Sequence, residues 1–230
     1  MGEQLPLSLQ LPTTARFSSF VAGPNAELVA ALARSARGED EALIYCWGSR
    51  GCGRTHLLQA SCHAAACAGR SPVYLPLGNH EVLRPELLEG WEQFDLVCVD
   101  DVDAVAGIHA WEEALFHLYN RSRDAGASLI VSAATAPGAV DFVLADLRSR
   151  LGSGVVYQCR PLDDAQRTEA LQLRARQKGC DMPLETAAYL LRRLPRDLPA
   201  LFTMLDCLDD ASLSAQRRLT VPFVKSVLGL

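Results

Sequence analysis

Short apolar runs alternate with longer amphipathic stretches over the first two thirds of the chain. Four of the runs have the length and apolar content of buried strands: ALIYCW (42–47), PVYLP (72–76), DLVCVDD (95–101) and ASLIVSA (127–133). The stretches between them have helical periodicity, most clearly RTHLLQASCHAAACAG (54–69), WEEALFHLYNRSRDAG (111–126) and GAVDFVLADLRSRL (138–151). This alternation predicts an α/β fold in which a parallel sheet is covered by helices on both faces.

The last third of the chain loses the strand pattern after GVVYQCRPL (154–162). Its remaining segments are all typical of helices: DDAQRTEALQLRARQKG, PLETAAYLLRRL, RDLPALFTMLDCLDD and TVPFVKSVLG. The first dozen residues show no steady period and indicate a flexible tail. We therefore expect three parts: a tail over residues 1–12, an α/β core over residues 13–160 and a small all-helical subdomain over residues 161–230.

Composition narrows the class of function. With 230 residues, 49% of them hydrophobic, the chain can bury one substantial core. The formal net charge of −5 argues against DNA binding by general electrostatic attraction, so a protein partner is expected instead. No apolar run approaches the roughly 20 residues that cross a bilayer, and the N-terminal MGEQLPLSLQ lacks the features of a signal peptide. We expect a cytoplasmic protein without a membrane segment.

Eight cysteines are scattered along the chain without a CxxC pair. Most lie in apolar segments such as LIYCW, where a free thiol packs as a small core residue. His63 and Cys67 are four residues apart, but two ligands without a second pair make a poor zinc site. We expect reduced thiols and no structural metal.

The segment GSRGCGRT (48–55) lies between the first predicted strand and a predicted helix. Gly48, Gly53 and Thr55 match the phosphate-binding pattern G-x-x-x-x-G-K-[ST]. Glycines let the backbone N–H groups approach phosphates closely, where a Cβ atom would obstruct them. The expected nucleotide-binding residues are Gly48, Gly51, Cys52, Gly53, Arg54, Thr55 and His56. A plain glycine-rich turn between strand and helix is the alternative.

Arg54 stands where the pattern has lysine, and this changes the expected chemistry. Lysine brings a compact charge to the β- and γ-phosphates, whereas arginine is longer, planar and suited to bidentate contact. We expect nucleotide binding to survive and self-hydrolysis to suffer.

Two acidic residues end the third predicted strand, at LVCVDD (96–101). The pattern places them at the carboxyl edge of the sheet, beside the glycine loop. Asp100 is expected to hold Mg²⁺ through water, and Asp101 to orient an attacking water. The alternative for Asp101 is a helix or turn cap.

Three further segments occur in an informative order: RFSSFVAGPNAELVAAL (16–32), EALFHLYNRSRDAG (113–126) and DLRSRL (146–151). With the glycine loop and the acidic strand end, they resemble the AAA+ ATPases and, within them, the family of the bacterial replication initiator DnaA. The resemblance covers about residues 16–205. It implies an AAA+ P-loop core with a helical lid, and a bound ADP or ATP with Mg²⁺. It also implies an adenine region formed by Phe20, Val21 and Asn25.

The resemblance assigns roles to two arginines. Arg150 matches the arginine finger, a guanidinium that stabilises charge on a phosphoryl group bound to a partner. Arg148 is the alternative for this role. Arg196 matches the lid arginine that senses the bound nucleotide, and a surface arginine at a helix end is the alternative there.

One segment departs from the family pattern. LIVSAATAP stands at the end of the fourth strand, where the family often has a polar Asp-Arg pair before proline. Ser132, or alternatively Thr135, is the remaining polar candidate for sensor I, and the neighbouring alanines indicate that sensing of the γ-phosphate has decayed. Together with Arg54, this favours a protein that holds ADP and is itself a weak ATPase.

The N-terminal QLPLSL (4–9) resembles the short peptide that docks into the bacterial sliding clamp. Gln4 would be the polar anchor, and Leu5, Leu7 and Leu9 would enter an apolar pocket. A flexible peptide that orders on binding gives modest affinity. An ordinary disordered tail is the alternative. We expect the chain to lack the initiator's C-terminal helix-turn-helix domain and its N-terminal partner-binding domain.

This combination resembles a DnaA-related inactivator of the initiator. It implies recruitment by the DNA-loaded clamp, indirect contact with DNA, and stimulated hydrolysis of the ATP bound to DnaA, which prevents re-initiation. Self-association is compatible with AAA+ sites at subunit edges. Two other function classes stay open: an AAA+ ATPase or loader that uses its own ATP, and a non-catalytic adaptor tethered to the clamp.

Overall fold

The computed structural model describes residues 15–39, 42–195, 197–215 and 217–229. These residues separate into two compact units. The first, the α/β unit, contains residues 15–17, 27–48 and 54–159. The second, the helical unit, contains residues 18–26, 49–53 and 160–229. The domain limits drawn from the sequence stay predictions.

A sheet of five parallel strands forms the centre of the α/β unit, in the order β2-β3-β4-β1-β5 within the described chain. The strands are β1 Leu43–Trp47, β2 Pro72–Pro76, β3 Leu96–Asp100, β4 Ser128–Ala133 and β5 Val155–Gln158. Each lies within a segment that the sequence patterns indicated, so the predicted α/β fold is confirmed. Parallel neighbours need crossover connections, and helices supply them here.

Alternation along the strands gives the sheet two buried faces. On one face, Tyr45 and Val99 join a core cluster with Leu118 of the following helical layer. Ile44 and Ile130 point to the opposite face and are also fully buried. Because both faces are covered, the strands appear in the sequence as continuous apolar runs.

Helices of the α/β unit are α1 Ala26–Ala36, α2 Arg54–Cys67, α3 His109–Ala125 and α4 Ala145–Leu151. Helix α2 packs on β2 and β3, and α3 packs on β4 and α4. The helix predicted over residues 138–151 was wrong over its first half, because only its last seven residues are α-helical.

A buried carboxylate explains why the chain before α4 is not helical. Glu112 of α3 is fully buried. It accepts hydrogen bonds from the backbone N–H groups of Gly107 at 2.7 Å, Val143 at 3.1 Å and Leu144 at 2.6 Å. Leu144 is the N-cap residue of α4 and has no side-chain oxygen to cap the helix itself. The apolar spacing of residues 138–144 thus reflects core contacts rather than helical turns.

The helical unit contains α5 Asp164–Gln177, α6 Leu184–Arg193, α7 Leu198–Ala215 and α8 Val221–Leu228. Helices α5, α6 and α8 lie within segments that the periodicity identified, whereas α7 continues five residues past the end of its predicted segment at Asp210. The predicted helical lid is confirmed. A reciprocal capping box of Asp163 and Gln166 starts α5. The buried faces of the helices meet in one core cluster that includes Leu171, Leu190, Leu205 and Val224.

The eight cysteines are free thiols. Five are buried, whereas Cys67 and Cys207 are exposed and Cys180 is half-buried. No helix in the described ranges has both the length and the apolar character needed to span a bilayer.

Replacing Glu112 by glutamine tests the buried carboxylate. The amide places a donor where a backbone N–H already donates, so we expect the free energy of unfolding to fall by about 2 kcal/mol. Glu113→Gln is the matched control, because the Glu113 side chain is 54% exposed and pairs with exposed His109. Its expected change is below about 0.5 kcal/mol. Urea unfolding followed by circular dichroism measures both, and equal losses would contradict the structural role of Glu112.

Candidate functional site

The glycine loop follows β1, as the sequence predicts. Gly48 extends the pairing of β1 with β4, since its N–H donates to the Ala133 carbonyl at 3.2 Å. Gly51 and Gly53 have φ values of +81° and +106°, a region that other residues rarely adopt. Helix α2 begins directly after the loop, at Arg54, and its first turn presents backbone N–H groups without intrahelical partners. The loop and helix start therefore have the local geometry of an anion-binding turn.

Within the helical unit, two side chains pack against the loop glycines. A Cβ atom on Gly53 would lie 2.6 Å from Cε2 of Phe20. A Cβ atom on Gly51 would lie 3.0 Å from Oδ1 of Asp197. Cys52, between the two glycines, is buried. Phe20, which the resemblance placed in the adenine region, therefore lies directly against the predicted phosphate loop.

Val21 and Asn25 are the other residues expected near adenine. Both contact residues near the beginning of the last segment of the helical unit, which starts at Arg160. Val21 packs with Leu162 and Ala170. Asn25 is buried, and its side-chain amide donates to the Arg160 carbonyl at 2.9 Å and accepts from the Arg160 N–H at 2.7 Å. The Asn25 amide thus both donates to and accepts from the backbone of Arg160. These two hydrogen bonds hold the chain around Asn25 in place.

The predicted acidic pair lies at the carboxyl edge of the sheet. Val99 of β3 pairs with Val131 of β4, so the next residues, Asp100 and Ser132, lie side by side. The Ser132 hydroxyl donates to Oδ1 of Asp100 and accepts from the backbone N–H of Asp101 at 3.0 Å. One serine therefore links both acids.

Asp100 is nearly fully buried, and both of its carboxylate oxygens accept hydrogen bonds. Besides Ser132, Tyr74 of β2 donates its O–H to Oδ2 at 2.9 Å. Burial, followed by the Asp100 charge, raises the pKa of Tyr74 well above its ordinary value, so the phenol keeps its proton. Side chains from three neighbouring strands thus meet at one buried carboxylate.

Asp101 leaves β3 in a left-handed conformation, with φ of +56°. Strained backbone of this kind is common at functional sites. Its side chain is 38% exposed, and its Oδ1 lies 2.9 Å from Nη2 of Arg54 in an ion pair. Burial and the neighbouring Asp100 raise the pKa of Asp101, and Arg54 partly offsets this rise. The pair therefore connects the acidic edge to the first turn of α2.

The ion pair with Asp101 uses Nη2 of Arg54 and leaves Nη1 without a role in it. The Arg54 side chain is 11% exposed, and Nη1 is buried without a hydrogen-bond partner among the described residues. A buried N–H without an acceptor is costly, and phosphate oxygens match the planar guanidinium.

Thr55 is exposed in the first turn of α2, and Nε2 of His56 lies 3.0 Å from the Arg16 carbonyl oxygen. The donors at this edge fit a phosphate group.

The two polar candidates for sensor I differ in their surroundings. Ser132 is fully buried, with its hydroxyl bound to the acidic pair. Thr135 is exposed, and its carbonyl accepts a hydrogen bond from the Tyr45 O–H at 3.1 Å. Ser132 thus links the acids at the strand end, and a phosphate contact by either side chain stays a prediction.

Arg150 lies in the last turn of α4 at an exposed position. Its Cζ atom is 5.9 Å from the centroid of the Tyr119 ring. Arg150 makes no ion pair with a carboxylate of the described chain. Arg148, the alternative for the finger role, is exposed on the same helix. Either guanidinium is accessible to a partner.

Some of the predicted site residues lie outside the described part of the chain: Gln4, Leu5, Leu7, Leu9 and Arg196. Sequence reasoning missed Tyr74 and Glu112. The sequence contains a signal for the burial of Glu112, because this residue shares a helix face with Leu115 and Tyr119. A carboxylate among apolar positions of a helix indicates that it is buried with a partner. Tyr74 had no such signal, since tyrosine is common in any strand.

Two family models match the chain. One is described as the bacterial DnaA ATPase domain and matches residues 81–158, and the other is described as Hda, lid domain, and matches residues 164–228.

Several solved structures share the fold. Domain III of the Thermotoga maritima replication initiation protein DnaA aligns with a TM-score of 0.81 and 20% identity, covering 95% of this chain and 97% of that chain. AMPPCP-bound DnaA from Aquifex aeolicus aligns with a TM-score of 0.73 and 22% identity, covering 86% of this chain and 66% of that chain. The Thermotoga maritima RuvB Holliday junction branch migration motor aligns with a TM-score of 0.66 and 16% identity, covering 93% and 73%.

Ser132→Ala tests the link between the acids. The variant leaves Asp100 and the Asp101 N–H each without one buried partner, so the free energy of unfolding should fall by about 2 kcal/mol. Ser128→Ala is the control from the same strand, because the Ser128 hydroxyl accepts a long bond of 3.3 Å from Arg70. Its expected loss is about 0.5 kcal/mol. Urea unfolding monitored by tryptophan fluorescence compares them, and a Ser132→Ala protein as stable as the wild type would disprove the link.

Proposed function

We propose that this chain, an Hda-like member of the DnaA-related AAA+ proteins, stimulates hydrolysis of the ATP bound to the initiator DnaA. The DNA-loaded sliding clamp recruits it, and the resulting ADP form of the initiator does not start replication again. The observation that carries the proposal is the exposed guanidinium of Arg150 at the end of α4, which pairs with no carboxylate of the described residues.

Arg150 has the chemistry needed to act on a nucleotide held by another protein. During phosphoryl transfer, negative charge spreads over the transferred oxygens, and a guanidinium placed beside them stabilises that charge. An arginine that is already bound to a carboxylate would first have to break that pair. Arg150 contacts an uncharged ring instead, so its positive charge stays available to a partner.

ADP is the nucleotide that we assign to the chain's own loop. The buried Nη1 of Arg54, which has no hydrogen-bond partner in the described part of the chain, is suited to an oxygen of the β-phosphate. Asp101, whose carboxylate is partly exposed, is the residue on this edge that would face Mg²⁺ or its water shell. The similar Aquifex aeolicus DnaA structure is described as bound to AMPPCP, which supports an adenine nucleotide.

The contacts of the acidic pair favour weak turnover of the chain's own nucleotide. Asp101, expected to orient an attacking water, is held by Arg54 at 2.9 Å. Ser132, the candidate for sensing the γ-phosphate, has its hydroxyl committed to Asp100. The groups that a working ATPase needs for hydrolysis are thus engaged with each other, and the nucleotide acts as a stabilising ligand of the fold.

Recruitment is assigned to Gln4, Leu5, Leu7 and Leu9. A short flexible peptide binds a preformed groove with modest affinity, and tethering to a clamp on DNA raises the effective concentration of the chain near its target. The net charge of −5 supports indirect rather than direct contact with DNA.

Arg150→Ala should lower the maximal rate of DnaA-bound ATP hydrolysis by a factor on the order of 10³, as expected when a finger is removed. Arg148→Ala is the matched control, because Arg148 is exposed on the same short helix. It should keep the wild-type rate. The assay follows labelled ATP on the initiator in the presence of DNA-loaded clamp.

Deletion of residues 1–10 separates recruitment from chemistry in the same assay. The truncated protein should need a much higher concentration but reach the wild-type maximal rate. No stimulation by the wild type would overturn the proposal. Full stimulation by Arg150→Ala would favour the adaptor alternative, since a tether does not need a finger.

Arg54→Ala should weaken ADP binding about tenfold or more, because it removes the unpaired donor and the charge at the loop. Arg37→Ala is the control, since exposed Arg37 pairs with exposed Glu39 and makes no hydrogen bond with the described loop residues. Isothermal titration calorimetry measures both. Turnover of the wild type's own ATP at about 1 per second or faster would instead favour an ATPase or loader.

A further inference from the structure

We propose that Tyr119 is the positioning residue for Arg150, holding the guanidinium and the end of its helix in the orientation that a partner's nucleotide requires. The inference rests on the proposed role of Arg150 as a finger. Tyr119 lies on α3, so it acts on the reacting group through Arg150 and not by direct contact.

Helix α4 is too short to fix the direction of its own side chains. It spans seven residues, about two turns, and isolated helices of that length are unstable in water. Its buried residues are Leu147 and Leu151, whereas Arg150 is exposed. Packing of Leu147 and Leu151 in the core and the contacts at the two ends of α4 therefore set the direction in which Arg150 leaves the helix.

At the C-terminal end of α4, Tyr119 is linked to the backbone of Arg150 through the hydroxyl of Ser153. The Ser153 hydroxyl donates to the Arg150 carbonyl at 2.7 Å. Because its proton is used there, Ser153 accepts from the Tyr119 O–H, 3.3 Å away. The chain of hydrogen bonds runs from tyrosine to serine to the last turn of α4, where it adds to the backbone bond that the Arg150 carbonyl accepts from the Ser153 N–H at 3.1 Å.

The Tyr119 ring also contacts the side chain of Arg150. The guanidinium carbon is 5.9 Å from the ring centroid, within the range of cation–π attraction. Tyr119 is 8% exposed and belongs to the core cluster of the sheet, whereas Arg150 is a long exposed side chain. The buried Tyr119 ring therefore sets the direction of the Arg150 side chain, which reduces the number of rotamers that Arg150 samples.

The N-terminal end of α4 is held from the same helix. Glu112 of α3 accepts from the N–H groups of Val143 and Leu144, which precede α4. Glu112 and Tyr119 are seven residues apart, two turns along one face of α3. Helix α3 thus contacts α4 near both of its ends, and Tyr119 is the contact nearer the finger.

The test compares Tyr119→Phe, which keeps the ring and removes the hydroxyl, with Tyr119→Leu, which removes both. We expect the maximal rate of DnaA-bound ATP hydrolysis to fall about threefold for phenylalanine and about tenfold for leucine. The concentration for half-maximal stimulation should stay within about twofold of the wild type, because positioning acts after recruitment.

Tyr189 of α6 provides the matched control. It is 7% exposed, and its ring centroid lies 5.8 Å from the guanidinium carbon of Arg193, so Tyr189→Leu removes the same kind of ring contact elsewhere and Tyr189→Phe keeps it. Tyr189→Phe and Tyr189→Leu should keep the wild-type maximal rate once folded. Thermal unfolding of all four variants identifies any that do not fold at the assay temperature.

A readout without the initiator tests the contact itself. The Nε–H proton of Arg150 should be displaced by the ring current of Tyr119 in the wild-type NMR spectrum, stay displaced in Tyr119→Phe, and move to the exposed-arginine position in Tyr119→Leu. Assignment comes from the signal lost in Arg150→Lys. An unmoved resonance in Tyr119→Leu, or wild-type maximal rates for both Tyr119 variants while Arg150→Ala is inactive, would overturn the positioning role. Inactivity of the wild type would overturn the proposed function instead.

Discussion

A carboxylate buried at the end of β3 sets the arrangement of the residues around it. Asp100 lies in an apolar sheet, where a carboxylate requires hydrogen-bond partners, and Tyr74 and Ser132 on the adjacent strands supply them. The register of three parallel strands places these partners, so the sheet and its acidic edge are specified together. Asp101 then turns out of the strand, and its ion pair with Arg54 connects this edge to α2.

Glu112 has a comparable role elsewhere in the α/β unit. Its buried carboxylate holds the extended chain before α4, while Tyr119, two turns along α3, contacts the far end of the same helix. The carboxylates of Asp100 and Glu112 both accept their hydrogen bonds mainly from residues of other strands or loops. The unit thus places its exposed arginine and its acidic edge by long-range hydrogen bonds, and short elements such as α4 depend on them.

The sequence predicted the strands and the lid helices because long apolar runs and a 3.6-residue period are strong local signals. It could not predict the packing of Phe20 against Gly53, which depends on contacts between distant segments. The link from Ser132 to Asp100 and the pair of Arg54 with Asp101 depend on strand register and on a left-handed residue, and neither leaves a local pattern. The sequence wrongly predicts a helix over residues 138–144, because their apolar spacing resembles a helical period.

The ion pair of Arg54 and Asp101 gives the protein an internal counter-ion. A guanidinium that is 11% exposed needs a negative neighbour whether or not a phosphate is nearby, and Asp101 provides one. An anion that binds Nη1 at this edge therefore joins a guanidinium whose Nη2 already has a negative partner. Repulsion between the two negative groups moderates the affinity for the anion, yet Asp101 spares the unliganded fold the penalty of an uncompensated buried cation.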